Sequence, residues 1–150
     1  MKKEDTLDNK DSIEITISVK ASLEEIWQVL TDPDELESWW GDGVRLEAKV
    51  NGSFSEPWED DKGVRQLATG KVKSVKKKQE IIFSWKEKDW PKESLTECQF
   101  RIEDKKMIRQ IHLKHSGWES LPPELKSKQM KDFKIGWNYH LKELQSYLDD

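Results

Sequence analysis

One cysteine, Cys98, stands among the 150 residues. A lone thiol excludes an internal disulfide and supplies no cysteine cluster for a metal. Its place in an apolar stretch makes it a small buried core residue. Long apolar runs are also missing: none approaches the ~20 residues a helix needs to cross a bilayer, so no membrane insertion is expected. The charged opening from Met1 to Ser12 has no apolar h-region. No secretory signal is visible there, and a cytoplasmic protein is expected. No GxSxG, HExxH, Walker or dinucleotide-binding pattern occurs. The densest acidic run, Glu59, Asp60 and Asp61, falls at a turn and reads as solvated. Basic residues crowd only at Lys71, Lys73, Lys76, Lys77 and Lys78. That cluster reads as a solvated strand pair whose charged edge resists aggregation. A nucleic-acid face needs a broader basic field with aromatics among the charges, so no nucleic-acid partner is expected.

What the chain does carry is charge and tryptophan. Charged residues make up 37%, hydrophobic residues 34%, and the net charge is -4; the mean hydropathy is -0.93. Those values alone admit disorder. Eight tryptophans and regular patterning argue for a folded domain. The length suits one domain, which buries roughly 70% of the surface its unfolded chain exposes. No linker or repeat divides it: residues 1–11 read as a flexible tail and residues 12–150 as a single domain.

Periodicity supplies the elements. Ile13, Ile15, Ile17 and Val19 alternate strictly with polar residues, as in a half-buried strand. Ser22 and Glu25 form a capping box ahead of Leu23, Ile26, Trp27 and Leu30 at helical spacing. Asp32, Pro33 and Glu35 then start a second short helix, expected to run to about Trp40 and to end on Gly41 as its C′ residue. Strand-like runs follow at Val44–Val50, Ser53–Glu59, Gln66–Val75, Glu80–Lys86, Leu95–Glu103 and Met107–His115. Turn signals separate them: Asn51-Gly52 suggests a type I′ hairpin, and Asp60–Gly63, Lys76–Lys78 and Asp104–Lys106 suggest others. After Leu121-Pro122-Pro123, apolar residues from Met130 to Leu148 mark one long helix, ~36 Å over about Glu124 to Tyr147.

This order has few compact solutions. Hairpin-linked strands pair with their neighbours, and the twisted sheet needs a cover. Only the last helix is long enough. A straight rod across a concave sheet leaves a gap that side chains fill or that stays open. Alternation turns Ile81, Phe83 and Trp85 toward that gap, then Cys98, Phe100 and Ile102, then Ile111, Leu113 and His115. Phe54 and Trp58 join from the third strand; Phe133, Trp137, His140, Leu141 and Leu144 come from the helix. Gly136, inside the helix at a cost of about 1 kcal/mol, suggests a close approach to the sheet.

The candidate ligand-lining residues follow from this placement: Trp39, Trp40, Phe54, Trp58, Phe83, Trp85, Phe100, Leu113, His115, Trp118, Phe133, Trp137, His140 and Leu141. Adjacent helical positions point about 100° apart, so one of Trp39 and Trp40 is expected at a surface or pocket mouth. Trp85, Trp118 and Trp137 either cage a planar ligand or a cation, or simply fill an oversized gap. His115 is either a satisfied core histidine or a polar anchor for a ligand. His115 and His140 lack a third inward ligand, so no metal site is expected. Nothing calls for a cofactor.

Three stretches carry a family resemblance: Ala21-Ser22-Leu23-Glu24-Glu25-Ile26-Trp27-Gln28-Val29-Leu30-Thr31-Asp32-Pro33; Gly70-Lys71-Val72 leading to Phe83-Ser84-Trp85; and His115-Ser116-Gly117-Trp118 followed by Gly136-Trp137, Leu141, Leu144 and Leu148. Together they resemble the heat-shock protein 90 ATPase activator homologue (AHSA-type) family of the START-like, or SRPBCC, superfamily. The resemblance implies an α+β helix-grip fold. A curved antiparallel sheet of six to seven strands wraps around a long C-terminal helix, with two short helices after the first strand and an internal cavity. It implies no single activity, since the superfamily includes lipid and hormone carriers, drug-sequestering resistance proteins and cyclases. The co-chaperones that give the family its name, linked to the stress response, resemble a longer arrangement with a separate N-terminal domain that these residues do not accommodate. The leading expectation is non-catalytic binding of a small hydrophobic molecule, a lipid, polyketide or similar. The alternatives are a co-chaperone-like interaction module with a chaperone as partner, and a cyclase- or hydrolase-like enzyme using His115 or His140. A monomer or weak dimer is expected.

Overall fold

The computed structural model describes residues 11–149. The tail expected over residues 1–11 therefore lies, but for Asp11, outside the described residues. The strands are β1 (Ser12–Val19), β2 (Arg45–Leu46), β3 (Ser53–Glu59), β4 (Arg65–Lys76), β5 (Glu80–Glu87), β6 (Thr96–Asp104) and β7 (Arg109–Ser116). The helices are α1 (Leu23–Thr31), α2 (Pro33–Trp39) and α3 (Pro123–Asp149), with a 3-10 turn at Trp118–Ser120. The sheet is antiparallel in the order β1-β7-β6-β5-β4-β3-β2. All neighbours but β1 and β7 are consecutive, so the first strand closes the meander at its far edge. This is the helix-grip architecture, with two short helices after the first strand.

Local chemistry sets the helix starts. The Ser22 N–H donates to Glu25 Oε1 at 2.9 Å, and the Glu25 N–H donates to Ser22 Oγ at 3.1 Å. Asp32 Oδ1 accepts from the N–H groups of Asp34 and Glu35, which are orphan donors of a helix's first turn. The strand faces follow the period of two. Ile81, Phe83 and Trp85 are buried, as are Cys98, Phe100, Ile102, Ile111, Leu113 and His115. Each buried indole removes about 200 Å² from water, worth roughly 5 kcal/mol before entropy is subtracted.

Four expectations need correction. The second strand is two residues long rather than seven. After Leu46 the chain coils back on itself, with the Lys49 N–H donating to Glu47 O and the Gly52 N–H to Lys49 O. A Cβ on Gly52 would sit 2.4 Å from Glu47 O. Asn51 has φ 67° but Gly52 does not share it, so the turn is not type I′. The loop's outward groups instead bond β4, through Asn51 N–H to Val72 O and Val72 N–H to Gly52 O. Gly41 does not take the left-handed conformation either; Gly43 does, at φ 82°. Finally, the lysine-rich β4 is an interior strand, not an edge. Its lysines lie on the outer face, where Lys73 pairs with Glu97 at 2.5 Å; Lys78, in the turn after it, pairs with Glu24 of α1 at 2.7 Å.

Helix α3 lies across the inner face from one sheet edge to the β5–β6 loop. At one end the Gln145 side chain donates to Ser18 O of β1; at the other, Gln129 accepts from the Trp90 indole. Trp137, Leu141 and Leu144 are its buried face.

Candidate functional site

Most of the space between α3 and the sheet is solid aromatic packing. Trp40 is the hub: its ring lies 5.3 Å from Trp137, 5.8 Å from Phe54, 6.0 Å from Phe100 and 6.2 Å from Trp85. Both Trp39 and Trp40 are buried, at 3% and 4% exposure, against the expectation that one faces out. Trp40, the C-cap, keeps right-handed helical angles and donates its N–H to Leu36 O, so both indoles are covered because the core reaches both sides of the helix end. Trp39 tucks under α1, donating to Val29 O at 2.8 Å. Trp40 reaches β3 and donates to Glu56 Oε2 at 3.0 Å.

His115 belongs to the solid part. The Trp137 indole donates to His115 Nδ1 at 3.0 Å, and His115 Nε2 lies 2.8 Å from Thr96 Oγ1. An indole nitrogen only donates, so Nδ1 is the acceptor and the proton sits on Nε2. Thr96 in turn donates to Trp85 O at 3.0 Å. Every polar atom of the ring is thus used, and burial pushes its pKa down to about 3. Trp118 stacks beside it, 4.6 Å from the imidazole, and donates to His115 O. His115 is a neutral, satisfied core histidine.

A cavity of about 220 Å³ remains beyond this layer, between α3 and strands β3 and β5. Trp40, Trp58, Trp85, Phe133, Trp137 and His140 line it, together with Glu56, Glu87, Asp132 and Gly136. The remaining candidates stand elsewhere. Trp39, Phe54, Phe83, Phe100, Leu113, His115, Trp118 and Leu141 are buried core residues that do not line it. The cage suggested for Trp85, Trp118 and Trp137 forms without Trp118, with Trp40 and Trp58 in its place. Gly136 does not bring the helix close to the sheet. A Cβ there would meet nothing within 4 Å, because the cavity lies in front of it.

The sequence reasoning missed the two glutamates. Glu87 is 5% exposed; its Oε1 accepts from the Trp58 indole at 3.0 Å and its Oε2 from the Trp85 indole at 2.9 Å. Burial raises its pKa. Glu56 takes the Trp40 indole, and its pKa is raised to about 7, first by burial and then by the charge of Glu87. Both obey the same alternation as their neighbours: 54, 56, 58 on β3 and 81, 83, 85, 87 on β5. A charged residue at inward parity was the available signal. Across the cavity, His140 Nδ1 is buried without a hydrogen-bond partner, and burial lowers its pKa. Among the described residues no three His, Cys, Asp or Glu converge to hold a metal.

Comparison with known proteins places this arrangement. A family model described as "Activator of Hsp90 ATPase homolog 1-like protein" matches residues 20–149. Among curated proteins none matches the sequence. The fold resembles the solution structure of the Aha1 dimer from Colwellia psychrerythraea, at 22% identity and TM-score 0.73, covering 92% of this chain and 96% of that one. It also resembles an HSP90 activator from Plasmodium falciparum, at 22% identity and TM-score 0.70, with 92% and 96% covered. DynU16, from the dynemicin biosynthetic locus, matches at 17% identity and TM-score 0.72 over 92% of this chain; the chain spans only 47% of its length. At these identities the solved structures speak for the fold alone. No helix among the described residues is long and apolar enough to cross a membrane.

Proposed function

We propose a function from the premise that this chain belongs to the activator of Hsp90 ATPase homolog 1-like family: it is a non-catalytic binder that holds one small, largely aromatic molecule between α3 and the sheet. The observation that carries this reading is the cavity itself, walled by four indoles and Phe133 and kept open by a glycine in mid-helix. Interiors normally pack to crystal-like density, and a glycine inside a helix costs about 1 kcal/mol against alanine. Both are spent at one spot. The volume equals that of about seven waters, so the ligand is small. Trp58 at 40% exposure and the exposed Asp132 stand where a molecule enters.

Tryptophan fluorescence and indole N–H resonances, followed against a panel of small aromatic molecules, test the reading. Gly136→Leu, which places a side chain in the space, is expected to abolish the response. Equal binding by that variant, or silence from the whole panel, removes it.

Family membership favours a second reading, an interaction module that acts on a chaperone. An HSP90 activator and an Aha1 dimer share the fold. A pull-down with the chaperone and its ATPase rate check it; no association at micromolar concentration ends it.

A further inference from the structure

The cavity combines ring surfaces with acid groups, and His140 is its one basic side chain. Glu56, Glu87 and Asp132 line it, and no lysine or arginine does. Asp132 already pairs with Lys128 at 2.9 Å, but among the described residues neither Glu56 nor Glu87 has a cationic partner. A buried carboxylate without a counter-charge is costly. Three indole N–H groups hold the two carboxyls in place, yet an indole brings no positive charge. The Trp137 N–H is spent on His115. No lining indole therefore has an N–H left for a ligand; what they present is ring surface. Glu56, only half-buried, gives one oxygen to the Trp40 indole and lines the cavity. Buried His140 Nδ1 is without a partner.

From this arrangement we infer that the cavity's ligand is a small organic cation, an ammonium with an apolar or aromatic body, held by Glu56 and Glu87 and by the faces of Trp40, Trp85 and Trp137. The inference rests on the binding function proposed above and names the chemical class of its ligand. Three ligand classes are distinguished by the same chemistry. An anion would meet three acidic side chains and no lysine or arginine. A neutral molecule would strip the remaining water from the glutamates and return no charge, making them dearer to keep ionised. A cation neutralises them as it desolvates them, and electron-rich ring faces attract it further. A metal ion lacks the converging ligands.

The groups facing the ligand also give the binding a pH dependence. Glu56, Glu87, Asp132 and His140 face the cavity. Glu56 loses its proton near pH 7, and His140 is neutral there because burial holds its pKa below the ordinary value. His115, behind the wall, stays neutral throughout. The cavity grows more negative as pH rises from 6 to 8, and cation affinity rises with it.

Calorimetric titration of the intact protein with 2-phenylethylamine, its neutral isostere 2-phenylethanol and the anion 3-phenylpropionate tests the inference. Expected is ammonium binding about tenfold or more tighter than the alcohol, no binding of the acid, and ammonium affinity that climbs between pH 6 and 8 while any alcohol affinity does not rise. Glu56→Gln and Glu87→Gln are each expected to weaken the amine by about tenfold without weakening the alcohol. The wild-type pH series needs neither variant to fold. Alcohol binding as tight as amine binding, or amine affinity flat with pH, overturns the cation and leaves a neutral-ligand binder. Preference for the acid overturns it likewise. No binding by any of the three overturns the inference and the binding reading together.

Discussion

Two polar spots lie within one aromatic cluster under α3, and they are built on opposite principles. Around His115 every donor meets an acceptor: Trp137 to imidazole, imidazole to Thr96, Thr96 to Trp85 O. Around Glu56 and Glu87 the donors are neutral indoles, the charges are unmatched, and His140 Nδ1 has no partner. The first spot is closed and dry; the second borders empty space. Low dielectric strengthens a complete network and penalises an incomplete one. The difference teaches where to look for function. A buried histidine that draws attention by its residue type is structural, and the glutamates beside it line the open space.

Protons separate the two spots most strongly. His115 keeps its neutral form in the folded protein down to about pH 3, against an ordinary value of 6.5. Its folded pKa is lowered, so the unfolded chain takes the proton first. Its stability contribution is full above pH 6.5 and drains as pH falls toward 3, by about 5 kcal/mol in all. Urea unfolding at stepped pH measures it. A midpoint that holds steady from pH 6.5 to 4 breaks the account of His115 as a locked neutral ring.

Glu56 runs the other way. Its folded pKa is raised from 4.5 to about 7, so its contribution is full below pH 4.5 and is lost as pH rises through 7. Glu56→Gln is expected to stabilise the ligand-free protein by up to about 3 kcal/mol at pH 8 and by almost nothing at pH 4. Destabilisation at pH 8 would mean that the carboxylate already has a partner. Trp137→Phe keeps a ring and removes the N–H, leaving His115 Nδ1 orphaned in the core; a loss of about 2–3 kcal/mol is expected by denaturant titration. The smallest effect sharpens the contrast from the cavity side. Gly136→Ala points a methyl into open space and is expected to raise the thermal midpoint slightly, worth up to about 1 kcal/mol of helix propensity. A loss of stability there would place the helix closer to the sheet than it stands.

The limits of legibility follow the same line. The period-two runs over β5, β6 and β7, and the helical spacing of Trp137, Leu141 and Leu144, were readable because burial on one face imposes them. The end of α2 was not. Trp39 and Trp40 keep helical spacing yet share the core, because α1 covers one and β3 covers the other, and no local rule says how far the core wraps around a helix end. The loop after β2 was misread for a related reason: Asn51 and Gly52 bond to β4, a strand that begins over ten residues further along the chain. Glu87 lies one residue past the expected strand end, and Glu56 stands between Phe54 and Trp58 as a charged residue, a type that local pattern assigns to solvent.

By itself the sequence determined the element order, the faces of the strands and the long helix that must cover them, because side-chain periodicity is a local property that burial writes into every two or four residues. Only the tertiary structure decided which polar residues are satisfied and where space remains. Those depend on partners far apart in the chain, Trp40 with Glu56, Trp58 with Glu87, Trp137 with His115. No spacing along the chain encodes whether such groups meet.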